Sequence, residues 1–285
     1  MKLSAAFSLF TDLRFAVQTA LWPTIVSIWY NPYLLFNPQE LSRTFMNHVW
    51  LVFGNGVDEN GRPVKTQLIT PHATGVVLDL GAGAEPSDPL LVLRTRRSDA
   101  GWLGYGHTVN YLNHSKIAKY VALEPNVNMH DQIRLNASKA GYTESAGNLV
   151  ILSCGAEDSK TILETLDYTQ VDTIISVLTL CTVPNPQLTI QRLVLDVLKP
   201  GGTLLFYEHV LSPRKDVAWW QRFWAPLWAI GFDGCRMDRP SHLYVEEIKG
   251  WEGESEVWKQ RSVWGKQGED EENLFWHRAG RYVKA

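Results

Sequence analysis

The chain has 285 residues, 45% of them hydrophobic and 20% charged, with a formal net charge of -3. That is long enough for one large core or two modest ones, and too weakly basic for a nucleic-acid footprint. Its three cysteines, Cys154, Cys181 and Cys235, stand far apart with no CxxC pair; this argues against a metal site or a disulfide framework and fits a reducing, intracellular setting, cytoplasmic or on the cytoplasmic face of an internal membrane.

From Phe15 to Phe36 no residue is charged, a length that reaches across a bilayer. Gln18, Thr19, Thr24, Ser27 and Asn31 are polar, however, and Pro23 and Pro32 interrupt a helix. Residues 1–70 therefore read as a helical cap over the rest of the chain or as a membrane-associating segment, in peripheral contact or as a true span. Leu41, Phe45, His48, Val49 and Val52 recur at helical spacing and predict a helix over 38–52. His48 on that face is a core or cleft-lining residue, and a candidate for the substrate side. Gly54-Asn55-Gly56 and Asp58 to Gly61 then predict a loop.

Val76 to Leu80 is an apolar run carrying Asp79 that breaks into Gly81-Ala82-Gly83. A buried parallel strand ends this way when a ligand must approach the backbone. The acidic residue that meets a bound nucleoside usually lies about 20 residues beyond such a turn. Here the next candidate, Glu124, lies 124 − 83 = 41 residues on. Treating residues 84–104 as an insertion of 21 residues restores 20 and rejoins the turn to Tyr105-Gly106, with Gly106 as its displaced third glycine.

The second strand, Lys119 to Leu123, ends at Glu124-Pro125-Asn126, where an acid can accept from both ribose hydroxyls. Helix 128–140 closes at Gly141. The third strand, Leu149 to Leu152, leads into Gly155-Ala156-Glu157-Asp158, whose acids suit an adenine amino group. The fourth, Asp172 to Leu178, presents Ser176 to Thr182, including Leu178, to the reacting group. Helix 187–198 stops at a Pro-Gly-Gly, and the fifth strand, Thr203 to Tyr207, delivers Glu208 and His209. Helix 216–230 carries Trp219, Trp220, Trp224 and Trp228 at near-helical spacing; this face is core, part of it walling an apolar pocket. Two alternating segments, 255–263 and 274–283, predict an antiparallel hairpin. Five strand–helix units plus this pair make one α/β doubly wound sheet over residues 71–285, and its four polar strand ends suit an adenosine-containing ligand.

The segments VVLDLGAG, VALEPN, CGAED, DTIISVLTLCTVP, LKPGGTLLFYEHV and FDGC resemble the class I S-adenosylmethionine-dependent methyltransferases. Within them the chain is most similar to fungal methyltransferase-like proteins related to the membrane-associated alkyl-thiol S-methyltransferases. The resemblance implies a Rossmann-like seven-stranded, mostly parallel sheet with a C-terminal antiparallel hairpin. It implies S-adenosyl-L-methionine as cofactor, contacted by Asp79, Gly81, Gly83, Glu124, Asn126, Glu157 and Asp158, with Pro125, Gly155, Ala156, Ser176, Leu178, Tyr105 and Gly106 beside them. The acceptor is then a small molecule, with a thiol favoured over oxygen or nitrogen of a metabolite. Glu208 and His209 are the candidates for acceptor base or acceptor positioning, and His48, Trp219, Trp220, Asp233 and Cys235 for the substrate side. A methyltransferase fold without methylation activity stays open, as does a nicotinamide-dependent oxidoreductase, which shares the glycine turn and the acid after the second strand.

Overall fold

The computed structural model describes residues 1–82, 107–251 and 256–285. Gly83, Tyr105, Gly106 and the insertion at 84–104 lie outside the described residues.

Seven strands form one sheet: β1 (Gly75–Leu80), β2 (Ile117–Leu123), β3 (Leu149–Leu152), β4 (Val171–Val177), β5 (Leu198–His209), β6 (Trp258–Gly265) and β7 (His277–Lys284). Their order is β3-β2-β1-β4-β5-β7-β6. The first five run parallel, while β7 is antiparallel to both β5 and β6. The expected doubly wound sheet and closing hairpin are both present.

The apolar runs of β1, β4 and β5 are continuous because both faces of these strands are covered. Leu78, Ile174, Leu204 and Phe206 enter one core, while Val77, Ile175, Leu205 and Tyr207 enter the other. Side chains alternate along a strand, so Asp79 and His209 share the face of Val77 and Tyr207, whereas Ser176 and Glu208 share the opposite one.

The helices, in chain order, are α1 (Leu3–Ala6), α2 (Ser8–Tyr30) and α3 (Pro38–Ile69) at the N-terminus, then α4 (His130–Lys139) after β2. Beyond them lie α5 (Ser159–Thr165), α6 (Pro186–Arg192), α7 (Lys215–Gly231) and α8 (Ser241–Glu246). Two sequence expectations are corrected here. Helix α2 runs through Pro23, and α3 runs through the segment expected to be a loop and through Pro63. Packing outweighs the local breakers. Ala16 and Ala20 on α2 meet Val49 on α3, and the far end of α3 lays Val64, Leu68 and Ile69 on the sheet. Gly61 is what allows that approach, since a Cβ there would stand 3.1 Å from Tyr207 Cε1 on β5. No helix among the described residues is long and apolar enough to cross a membrane, so the reading of residues 15–36 as a span is set aside.

The Pro-Gly-Gly before the fifth strand is also drawn into the sheet. Helix α6 passes into a π-helical turn at Leu193–Val197, and β5 begins at Leu198 with a register shift opposite β4. Gly201 takes φ +73° at that irregularity.

In β7, Gly280 lies opposite Phe206, whose ring a Cβ would meet at 2.3 Å. Because Phe206 is itself packed parallel to Tyr282, it has no room to yield. Gly280→Ala is expected to lower stability by about 1–3 kcal/mol, read as a shift of the urea midpoint at constant slope.

Candidate active site

The C-terminal ends of β1 and β2 bring Asp79, Gly81, Glu124 and Asn126 to one edge of the sheet. Strands β1 and β2 pair in register up to Leu80 opposite Leu123, and the Ala82 amide donates to Leu123 O at 3.1 Å. Gly81 has φ +65°, and an added Cβ would meet Thr179 Oγ1 at 2.7 Å. The turn therefore needs glycine twice over, for its left-handed backbone and for the close approach of the loop after β4.

Asp79 is almost wholly buried. Its Oδ2 accepts from Tyr120 Oη at 2.7 Å, while Oδ1 has no partner among the described residues. Burial pushes its pKa up to about 7, against the Tyr120 hydrogen bond and the neighbouring Thr108 hydroxyl, which favour the carboxylate. Glu124 turns back so that Oε1 accepts from the Asn126 amide at 2.8 Å, and its own amide donates to Leu152 O of β3 at 2.9 Å. Of the two acids after β3, Asp158 caps α5, accepting from the Thr161 amide and hydroxyl. Glu157 instead folds its carboxylate over Gly155, where a Cβ would come within 2.4 Å. Tyr120 and Thr108 carry no motif signal; only the fold brings them to this edge.

The loop after β4 hangs on Glu208. Glu208 Oε1 accepts from Ser176 Oγ at 2.7 Å, the Thr179 amide at 3.0 Å and the Leu180 amide at 3.2 Å. Burial raises the pKa of Glu208, against those donors. Leu178 is held at φ +53° within this loop. The buried hydroxyl of Ser176 is directed at Glu208 and supports the loop. Glu208 thus braces this loop through Oε1, while its buried Oε2 has no hydrogen-bond partner among the described residues.

His209, on the other face, meets cysteines that are distant in sequence. Its Nε2 lies 3.4 Å from Cys235 Sγ, which lies 3.5 Å from Cys181 Sγ. The Cys181 thiol and the His209 ring together hold the Cys235 thiol well below its usual range. The Cys235 contact and burial push Cys181 up. Burial opposes a charge on His209, but Cys235 and Glu208 outweigh it and raise its pKa. Cys181 and Cys235 pack with Ala16, Ala20, Val49 and Phe232, so α2 and α3 roof this corner with apolar side chains. Sequence spacing argued against any such cluster, and the fold reverses that argument.

Other expected substrate-side residues are placed elsewhere. Trp219 is 56% exposed on the outside of α7, stacked on Phe223, and Trp220 packs against Phe7; neither walls a pocket at the strand ends. Trp224 and Trp228 do border an apolar cleft between α2 and α7, with Leu13 and Phe232. Asp233 accepts from Arg43 Nε at 3.2 Å and its amide donates to Ser42 Oγ, which makes it a docking point for α3. His48 is buried between α2 and α3, with Nε2 3.1 Å from Ser27 Oγ.

Residues 99–206 match the methyltransferase-domain family. Over those residues the chain is similar to a methyltransferase domain. It is 30% identical to human thiol S-methyltransferase TMT1B over 148 residues, covering 52% of this chain and 57% of that protein. It is 41% identical to human thiol S-methyltransferase TMT1A over 80 residues, covering 27% and 31%. The match thus spans 57% of the length of one of these relatives and 31% of the other. An O-methyltransferase family protein from Burkholderia thailandensis shares the fold, with a TM-score of 0.53 at 10% identity over 92% of this chain and 70% of that one.

The cofactor of this domain is S-adenosyl-L-methionine, and the residues present fit it. Asp79 Oδ1, without a partner among the described residues, is an acceptor ready for a ligand donor. The bare backbone at Gly81 leaves space for a ligand, and Glu124 stands at the neighbouring strand end.

Asp79 also sets a pH dependence in the unliganded protein. Its folded pKa of about 7 lies above the unfolded value of about 3.9, so the native state binds more protons in between. Stability should therefore fall as pH rises from about 4 to about 7 and level off above. Asp79→Asn should remove that slope, as measured by urea unfolding across the range.

Proposed function

We propose that the protein transfers a methyl group from S-adenosyl-L-methionine to a small, apolar acceptor, with a thiol favoured ahead of oxygen or nitrogen of a metabolite. The observation that carries the reading is the pairing of Asp79, with its unpartnered oxygen, and Glu124 at one edge of the sheet. The apolar corner of His209 and the two cysteines lies on the same face as Asp79. Relatives named as thiol S-methyltransferases support the choice of sulfur.

When bound, the cofactor supplies an electrophilic methyl group on a sulfonium. Asp79 and Glu124 hold its polar ends, Asn126 and Pro125 shape the turn beside Glu124, and Gly155, Ala156 and Glu157 border the base. Leu178, at the loop held by Glu208, faces the reacting end. The roof of α2 and α3 keeps water from an approaching nucleophile whose hydration would otherwise raise the barrier. Residues 71–285 then form the catalytic domain and residues 1–70 its cover.

The cover has a second face. Trp29, Tyr33 and Phe36 are 84%, 81% and 85% exposed in a stretch without charge, and Phe223, Leu227 and Ile230 of α7 are exposed as well. Such aromatic surface suits peripheral seating in a lipid interface, where apolar acceptors also concentrate. Flotation with phosphatidylcholine vesicles should carry the wild-type protein upward, while Trp29→Ser/Phe36→Ser should stay in the dense fraction.

The deciding experiment is a labelled-methyl assay against thiols, phenols and amines, with cofactor affinity measured by calorimetry on the same sample. Transfer to apolar thiols is expected. Asp79→Asn and Glu124→Gln should each weaken cofactor binding by about 10-fold or more, the scale of a lost charged hydrogen bond. A folded protein that binds no S-adenosyl-L-methionine, or that instead carries a nicotinamide, refutes the reading.

A further inference from the structure

We infer that Cys181, His209 and Cys235 form a three-ligand site for a thiophilic divalent ion, zinc above all, whose fourth position is open to the sulfur of the acceptor. The three side chains come from separate places: the loop after β4, the end of β5 and the turn after α7. All are buried, and their ligand atoms lie within 4.8 Å of one another.

Two of the three edges have the spacing of a coordination shell, and the third is within 4.8 Å. Zinc bonds of about 2.3 Å to sulfur and about 2.0–2.1 Å to imidazole nitrogen set tetrahedral S···S and S···N edges near about 3.8 and about 3.5 Å. The two shorter edges here are 3.5 Å for Cys181 to Cys235 and 3.4 Å for Cys235 to His209. Two soft thiolates and an imidazole select zinc over calcium or magnesium, which take oxygen ligands.

The segments that present the ligands are cross-braced. The Arg236 amide donates to Cys181 O at 3.1 Å, joining the two cysteine segments directly. Arg239 Nη1 donates to Leu180 O and Val183 O on both sides of Cys181. Glu208 receives the Leu180 amide. Ligands held this way need little rearrangement on binding. The apolar shell of Ala16, Ala20, Val49 and Phe232 keeps the site dry, which strengthens a metal–thiolate bond.

Three protein ligands leave one tetrahedral position vacant, the arrangement of catalytic rather than structural zinc. A thiol entering that position binds as thiolate and releases its proton to solvent, because a coordinating thiol is deprotonated by the metal. Its sulfur lone pair then forms the bond to the methyl carbon as the sulfonium carbon–sulfur bond breaks, leaving a neutral thioether on each sulfur. His209 acts here as a ligand, and no protein base is required. The role in activating the acceptor rests on the thiol reading above, whereas the metal site does not.

The test begins with the reduced, chelator-stripped wild-type protein and titrates it with Co(II) as a spectroscopic stand-in for zinc. Saturation at one ion per chain with a sulfur-to-metal charge-transfer absorption is expected, and zinc should bleach it. Cys181→Ser and Cys235→Ser should each lose most of that absorption, and Cys154→Ser should keep it; calorimetric cofactor binding checks that each variant is folded. Absence of charge-transfer absorption in folded wild-type protein overturns the site. So does a pair that closes to a Cys181–Cys235 disulfide under mild oxidant while the reduced form takes up no metal. Metal uptake without thiol methylation sinks the acceptor assignment and keeps the site, whereas thiol methylation that survives complete metal removal sinks the metal's role in activation.

Discussion

The carboxylate of Glu208 is buried on β5 and gathers the end of β4 around a single oxygen. Three donors, from Ser176, Thr179 and Leu180, converge on Oε1. The Thr179 hydroxyl in turn donates to Leu80 O at 2.9 Å and stands against Gly81, while Leu180 precedes Cys181. The cofactor turn on one side and the cysteine on the other are therefore located by one anchor. A buried carboxylate is costly unless its charge is answered by donors, so the loop has little freedom to drift while the group stays ionised.

The two faces of the sheet divide the work. On the face of Asp79 and His209, α2 and α3 supply an apolar roof; on the opposite face Glu208 and Ser176 brace the loop from below. This follows from the two-residue alternation of a strand. Glu208 and His209 are neighbours in sequence yet serve different tasks because β5 turns them to opposite sides.

Asp79 shows where stability yields to binding. A buried carboxyl with one oxygen unpartnered among the described residues works against the unliganded fold, and the same feature prepares a site for a cofactor donor. The roof poses the same kind of conflict. Its inner face stabilises the helices by burying Ala16, Ala20 and Val49, while its outer aromatic residues remain exposed to the solvent.

Much of the architecture was legible along the chain. The runs of β1, β2, β4 and β5, the acids after the second and third strands, and the closing hairpin all follow from local pattern, since two-residue and continuous apolar runs are set by short-range geometry. Three things were not. Helix α3 overrides Gly54, Gly56, Gly61 and Pro63, because packing along its length outweighs local propensity. Trp219 and Asp233 look like site residues by position, yet one faces outward and the other holds Arg43. Cys181, His209 and Cys235 are separated by 28 and 26 residues, from 209 − 181 and 235 − 209, and no spacing rule connects them. The sequence by itself determined the order of strands and the acids at their ends; only the tertiary structure, by turning alternate residues of β5 to opposite faces and folding the turn after α7 back on the loop after β4, decided which polar groups meet.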